Sequence, residues 1–200
     1  MHLDYNYWFF KSALSPNVCD EIIATGKKYK SKKAVTGNAK KASSEVQKLR
    51  KSNVAWLNDR WIYNHIHPYV HTANKNAGWN YQWDWSESCQ FTKYSKGQFY
   101  GWHCDSWTKP YGDNDSNKNG KIRKLSVTVS LSDPKDYEGG ELEFKSIDGH
   151  TGKLRNTTCK EILPRGSIVV FPSHIWHRVK PVKEGTRYSL VVWNLGWPFK

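Results

Sequence analysis

Two imidazoles, one carboxylate and one arginine stand at spacings that could build a metal site. The first stretch is Tyr94-Ser95-Lys96-Gly97-Gln98-Phe99-Tyr100-Gly101-Trp102-His103-Cys104-Asp105, and the second runs from His177 through Val179 and Pro181 to Gly185, Thr186, Arg187 and Ser189. Two His and one carboxylate on one face of a metal suit Fe(II) and leave the opposite positions open for a cosubstrate and O2. Arg187 lies ten residues beyond His177. Its planar fork suits a cosubstrate that ends in a carboxylate, because it can hold both oxygens at once.

The choice of ligands rests on surroundings. His-x-Asp is a weak signal alone, and His2-Leu3-Asp4 also fits it. His2 and Asp4 sit at a chain end that frays, so they are read as a chance match. His103 and Asp105 point the same way if their stretch is extended, since strands alternate faces. Their flanks are rich in aromatics and broken by glycine, which suits strands and turns. His177 begins an alternating run and is taken as the second imidazole. His174, within Pro172-Ser173-His174-Ile175-Trp176, is taken as a loop residue. Arg187, Ser189 and Val191 share one face of the next run. A return through Lys183-Glu184-Gly185 would form a hairpin and place Arg187 on the same side of the sheet as His177.

Strands and a few helices must position these groups. Residues 7–10 read as a strand. Ser15 then caps a helix with Pro16 at its first position, and Val18, Ile22 and Ile23 keep helical spacing to about Tyr29. Residues 31–46 are small and basic and read as a loop. Residues 54 to about 73 read as helical, with Ile62, Ile66 and Val70 four apart, and Pro68 is expected to kink or interrupt the segment. His65, His67 and His71 fall there and are read as surface or helix-end residues. From Gln90 onward the pattern is strands, interrupted by a polar loop over 106–121 directly after His103 and Asp105. Long loops in compact domains are often functional, and this one is a candidate lid. It contains Asp113-x-Asp115, but the distal Glu of a calcium loop is missing.

Length and composition fit one enzyme domain, with no apolar run of transmembrane length and no signal-peptide core. Cys19, Cys89, Cys104 and Cys159 are widely spaced, which argues for reduced thiols and a cytoplasmic protein rather than a disulfide framework or zinc site. The net charge is +13, and much of it lies between Lys27 and Lys51. That stretch is either a patch for nucleic acid or an acidic partner, or a solvated helix end and loop. Among the tryptophans, Trp56, Trp61 and Trp79 read as core filler. Trp102 and Trp176 neighbour the proposed ligands and should face away from them. Trp107 shares parity with His103 and Asp105 and is the candidate pocket wall.

Read as ordered blocks, the chain resembles the 2-oxoglutarate- and Fe(II)-dependent oxygenase superfamily, close to the prolyl-4-hydroxylase-like branch of small bacterial and phage hydroxylases. The first block is Tyr94, Gly97, Tyr100, His103 and Asp105. The next two are the run 126–132 and the segment 137–144 with its Gly139-Gly140 turn. The run 164–172 precedes the distal His, and His-x-Val-x-Pro-Val with Gly-Thr-Arg closes the series at 177–187. The resemblance implies a mainly β fold, a double-stranded β-helix or jelly roll with N-terminal helices packed on one sheet. It implies one domain over 1–200, helical to about 85 and jelly-roll from about 88 to 197. It implies Fe(II) held by His103, Asp105 and His177, 2-oxoglutarate held by Arg187 with Tyr94 and Ser189, O2 as oxidant and ascorbate as reductant. Tyr100, Trp107 and Tyr111 are the expected substrate contacts.

The implied reaction is hydroxylation of an unactivated C–H in a prolyl or similar residue of a peptide or protein. The alternatives are an oxygenase of nucleic acid or a small molecule, and an inactive binding module of the same fold. Collagen-type prolyl hydroxylases carry Lys where Arg187 stands, so the likeness is to the bacterial type. Nucleic-acid demethylases carry a second Arg where Trp193 stands, and halogenases lack a carboxylate at the position of Asp105.

Overall fold

The computed structural model describes residues 5–35, 44–106, 109–112, 114–147 and 151–199. After a short strand β1 (Trp8–Phe10) comes helix α1 (Pro16–Lys28). The Ser15 hydroxyl accepts the Val18 N–H at 3.3 Å, and Pro16 starts the helix where a missing N–H costs nothing. Gly26 lets α1 lie close on the sheet, because a Cβ there would stand 2.4 Å from the Phe91 ring. Helix α2 (Ser44–Leu49) is short, and α3 (Arg60–Asn76) buries Ile62, Ile66, Val70 and Ala73 along one face. Burying each of the larger aliphatic side chains contributes roughly 1.5–3 kcal/mol.

Three expectations for this half need correction. Residues 53–57 are not helical but form strand β4 (Asn53–Leu57), and the helix begins only after Asp59. Ala55 and Leu57 face the helical core while Trp56 faces away and is 47% exposed, so Trp56 is not core filler. The segment also has a five-residue pairing with a neighbouring strand, which supplies backbone partners that a helix would have to find within itself. Of the two outcomes expected at Pro68, a kink or an interruption, the second does not occur, since α3 runs through it. The carbonyl it orphans belongs to exposed Asn64, where water can satisfy it. Within 31–46, strand β2 (Lys32–Lys33) pairs with β4 and α2 starts at Ser44, while 36–43 lie outside the described residues.

The remaining strands are β3 (Arg50–Lys51), β5 (Trp85–Ser86), β6 (Cys89–Ser95), β7 (Phe99–His103), β8 (Ile122–Ser130), β9 (Tyr137–Gly139), β10 (Leu142–Ile147), β11 (Leu154–Thr158), β12 (Ile168–Pro172), β13 (His177–Val179) and β14 (Val182–Gly196). They form two antiparallel sheets, a jelly roll. The large sheet runs β1-β12-β8-β14-β6-β4-β2, with β5 and β9 also paired to β14. The small sheet runs β11-β10-β13-β7-β3.

Alternation on β8 explains the layering. Leu125, Val127 and Val129 enter the core beneath α1 and α3, while Ser126, Thr128 and Ser130 are buried on the opposite face, toward the small sheet. A second apolar cluster of Leu142, Phe144, Val169 and Phe171 fills one part of the space between the sheets. The polar inner face of the large sheet is therefore left for the site.

Candidate active site

His103 ends β7 and His177 begins β13, directly opposite each other in the antiparallel register. Each ring is turned by its own backbone. The Gly101 carbonyl lies 2.8 Å from His103 Nδ1 and the Ile175 carbonyl 2.9 Å from His177 Nδ1. A carbonyl only accepts, so Nδ1 carries the proton and each Nε2 keeps a free lone pair. Both Nε2 atoms face Asp105, at 3.7 Å from Oδ1 for His103 and 3.6 Å from Oδ2 for His177. These gaps are too long for hydrogen bonds. They suit donors bridged by one cation with bonds of about 2.1 Å. The three side chains can bring one ligand atom each within 4.8 Å of one another.

Their protonation states also suit a metal. Burial and the neighbouring His177 pull the His103 pKa down to about 3, so the ring is neutral. Burial pushes the Asp105 carboxyl up, but His177, His103 and Arg123 pull it further the other way, to about 2. A neutral imidazole and an ionised carboxylate are the forms that bind metals. The carboxylate is held in place: Ser126 Oγ donates to Asp105 Oδ2 at 2.7 Å, Ser173 Oγ lies 2.9 Å from Ser126 Oγ, and the Asp105 N–H donates to the Ser173 carbonyl at 2.8 Å. The Tyr100 ring stacks 3.4 Å from the His103 ring, and the Phe171 edge meets His177 at 4.6 Å.

Across the sandwich, Arg187 projects from the inner face of β14 opposite Tyr94 on β6. It is 2% exposed, its guanidinium carbon lies 5.5 Å from the Tyr94 ring centre, and its Nη1 has no hydrogen-bond partner. A buried cation with an unmet donor is costly unless an anion completes it. Gly140 makes room for it, since a Cβ there would come within 3.0 Å of Arg187 Cδ.

One cavity thus brings together His103, Asp105, His177, Arg187, Tyr94, Ser189 and Tyr100. Arg187, Ser189 and Val191 share its wall as their spacing predicts. The expected hairpin from β13 to β14 does not form. β13 pairs with β10 and β7 in the small sheet, and β14 joins the large one, so Arg187 faces His177 across the sandwich rather than beside it. Tyr111 does not line this cavity; its hydroxyl donates to Glu87 Oε1 at 3.2 Å. Trp107, His2 and Asp4 lie outside the described residues. His174 is exposed, and Trp176 is 49% exposed. His67 bonds Ser86 on the flank of α3, far from any ligand role. Within the loop after Asp105, Tyr111 exchanges backbone hydrogen bonds with Lys121 and Gly120.

Sequence reasoning missed four contributors. Ser126 and Ser173 orient the carboxylate. Arg123 and Glu87 form a two-bonded pair at 2.6 and 2.7 Å beside Asp105, with the guanidinium carbon 3.8 Å from the Trp193 ring centre. The alternation Ser126, Thr128, Ser130 against Val127, Val129 carried a signal for an inward polar face.

Residues 89–194 match the sequence profile of the 2OG-Fe(II) oxygenase superfamily, more than half of the chain. The chain belongs to that superfamily. Over 103 residues it is 40% identical to a PKHD-type hydroxylase of Prochlorococcus marinus, a match that covers 52% of this chain and 39% of the relative. The matched part is thus well under half the length of that relative. Two solved structures share the fold. The viral collagen prolyl hydroxylase of Paramecium Bursaria Chlorella virus-1, in its 2OG complex, aligns with a TM-score of 0.65 at 21% identity, over 96% of this chain and 97% of that one. A prolyl hydroxylase from Trichoplax adhaerens, in complex with a peptide fragment of the hypoxia inducible factor oxygen degradation domain, aligns with a TM-score of 0.61 at 17% identity, over 96% and 84%. Among the described residues no helix is long and apolar enough to cross a membrane, and all four cysteines are free.

Proposed function

We propose that this protein is an Fe(II)- and 2-oxoglutarate-dependent dioxygenase that hydroxylates an unactivated C–H, in a prolyl or similar residue of a peptide or protein. One observation carries the reading: a His-Asp-His cluster with converging ligand atoms faces a buried arginine with an unmet donor. The residues fit both groups, because the donor set suits Fe(II) and Arg187 suits the far carboxylate of 2-oxoglutarate. When bound, the pair supplies oxidation of a C–H coupled to decarboxylation of the cosubstrate to succinate.

The chain's own residues supply coordination, orientation and a dry cavity. His103 and His177 offer Nε2 because their Nδ1 protons are held by backbone carbonyls. Ser126 and Ser173 fix the Asp105 oxygens. Arg187 sets the depth and direction of the cosubstrate, with Tyr94 and Ser189 beside it. Leu142, Val179 and Phe171 exclude water from the same space. Residues 1–200 act as one domain in this reading, with ascorbate as the reductant that keeps the iron ferrous. Free thiols support a cytoplasmic location.

The prolyl substrate is supported by the two structures above, both of prolyl hydroxylases, and a peptide by the complex among them. The net charge of +13 would favour an acidic target. Proline-containing peptides and single-stranded DNA or RNA, offered in parallel, test the reading by substrate-stimulated succinate release and by mass spectrometry for added oxygen. Stimulation by peptide with oxygen on a prolyl residue is expected. Stimulation by nucleic acid alone would overturn the prolyl reading, and no succinate with any substrate would overturn the dioxygenase.

A further inference from the structure

A groove of about 530 Å³ opens on the helix-covered side of the large sheet, between segment 79–84 and the end of the chain at 196–199. It shares no lining residue with the metal cavity. Trp79 and Tyr81 form its buried floor, and Trp83, Trp197 and Phe199 stand around it. Trp197 is 60% and Phe199 51% exposed. The size is that of a ligand site, and five of its eleven lining residues are aromatic.

A β-bulge supplies its charge. Asn194 pairs with Leu125 and Leu195 with Arg123, so Lys124 is an extra residue on β8. The bulge sends neighbours to different places, as bulges do. Arg123 goes to Glu87 beside Asp105, and Lys124 goes to the groove. Lys124 is 4% exposed, and its ammonium stands 3.4 Å from the Phe199 ring centre. Among the described residues no carboxylate pairs with it. Burial lowers its pKa, a cost that a bound anion would reverse. The groove's own carboxylate, Asp84, already holds Lys121 at 2.7 Å. The pattern continues along this edge, with Lys121 over Trp197 and Lys118 over Trp85, each 5.8 Å from the ring centre.

We propose that this groove binds single-stranded nucleic acid, with bases against Trp197 and Phe199 and a phosphate at Lys124. Lysines interleaved with exposed rings match the way such strands are held: amines follow the backbone while every base offers a face for stacking. The chain's net charge of +13 adds long-range attraction to a polyanion. A proline-rich peptide could also use an aromatic groove. It would bring no anion for Lys124, and the Trp79 indole N–H, one of three indoles in the groove, is already bonded to the Tyr5 carbonyl at 3.0 Å. The Lys124 ammonium, which has no carboxylate partner among the described residues, favours an anion instead. The Lys118 and Trp85 pair beyond the groove favours a strand over a single nucleotide. The site is one of binding, separate from the chemistry at the metal.

The test uses a fluorescein-labelled oligothymidylate of about 15 nucleotides, within the size range of such sites. Its anisotropy would be titrated with the full chain at several salt concentrations. Binding that weakens as salt rises is expected. Trp197→Ala and Phe199→Ala should each raise the dissociation constant about ten-fold, the weight of one stacked base. Lys124→Met should lower the salt slope by about one. Trp197 and Phe199 are more than half exposed, but Phe199 meets the buried Tyr81 ring edge-on at 4.8 Å, so each variant is to be checked for unchanged circular dichroism and 2-oxoglutarate binding. No binding by the wild type, or equal binding by Trp197→Ala and Phe199→Ala, would overturn the proposal. So would displacement of the oligonucleotide by a proline-rich peptide, or by adenosine monophosphate at the same nucleotide concentration.

Discussion

Removing the Arg187 guanidinium should weaken 2-oxoglutarate binding and, at the same time, stabilise the protein without cosubstrate. The two effects have one cause. Arg187 is 2% exposed and carries a buried donor with no partner, so its charge is a burden until a carboxylate arrives. A hydrogen bond to a charged group contributes about 1.5–3 kcal/mol. Converted at about 1.4 kcal/mol per factor of ten, loss of one such contact raises the 2-oxoglutarate KM about 10- to 150-fold. Arg187→Met keeps much of the packing and removes the charge. Arg187→Lys keeps the charge and loses the fork, so its KM should lie between the two. Thermal melts give the opposite sign. At cosubstrate about 100 times its dissociation constant, the wild type should gain about 2.7 kcal/mol, or roughly 5–10 °C in Tm for a domain of this size. Arg187→Met should start from a higher Tm and gain almost nothing from 2-oxoglutarate. KM from succinate release and Tm from calorimetry, with and without cosubstrate, read both effects. An unchanged KM together with an undiminished Tm gain would refute the argument.

The remaining predictions concern the metal and the packing. His177→Ala should abolish iron binding and turnover, while His174→Ala, at an exposed position, should leave iron affinity unchanged; if His174→Ala alone strips the metal, the ligand choice is wrong. Ser126→Ala should leave the fold intact and cost about 10- to 100-fold in iron affinity, because it frees an Asp105 oxygen that the hydroxyl holds at 2.7 Å; equilibrium dialysis with Fe(II) measures it. Gly26→Ala should destabilise the protein although alanine is the better helix former by about 1 kcal/mol. Its Cβ would stand 2.4 Å from the Phe91 ring, and such overpacking costs about 1–3 kcal/mol. A Tm at or above the wild type would show that the helix can shift.

How much was legible follows from which forces are local. The cap at Ser15, the spacing of Ile62, Ile66 and Val70, and the parity of His103 with Asp105 and of Arg187 with Ser189 are all properties of short windows. Each survives in the structure. The run Asn53-Val54-Ala55-Trp56-Leu57 misleads because a short apolar run fits a strand or a helix equally well. Its strand character depends on β6, more than thirty residues away in sequence. The sheet change between β13 and β14 is hidden for the same reason. A tight return looks like a hairpin until the partners β7, β6 and β8 are known. Lys124 shows the limit most clearly. Alternation alone would place it with Ser126 on the inner face, and only the register with Leu195 reveals the bulge that sends it elsewhere.

The division of labour between the sheets explains why this fold suits a two-part cofactor. Both imidazoles come from neighbouring strands of the small sheet, so their spacing is fixed by strand pairing rather than by a loop. The arginine comes from the large sheet, so its separation from the metal is set by how the sheets are held apart. Stacked sheets lie about 10 Å from each other, a gap filled here by Phe144 and Phe171 rather than left to flexible chain. Coordination geometry and cosubstrate length are thus controlled by different forces, hydrogen bonding in one direction and apolar packing in the other. Asp105 couples them. It leaves the small sheet just after β7, yet its carboxylate is held by Ser126 of the large sheet. A shift of one sheet against the other would therefore move the carboxylate relative to the imidazoles, and the metal would bind best at one separation of the sheets.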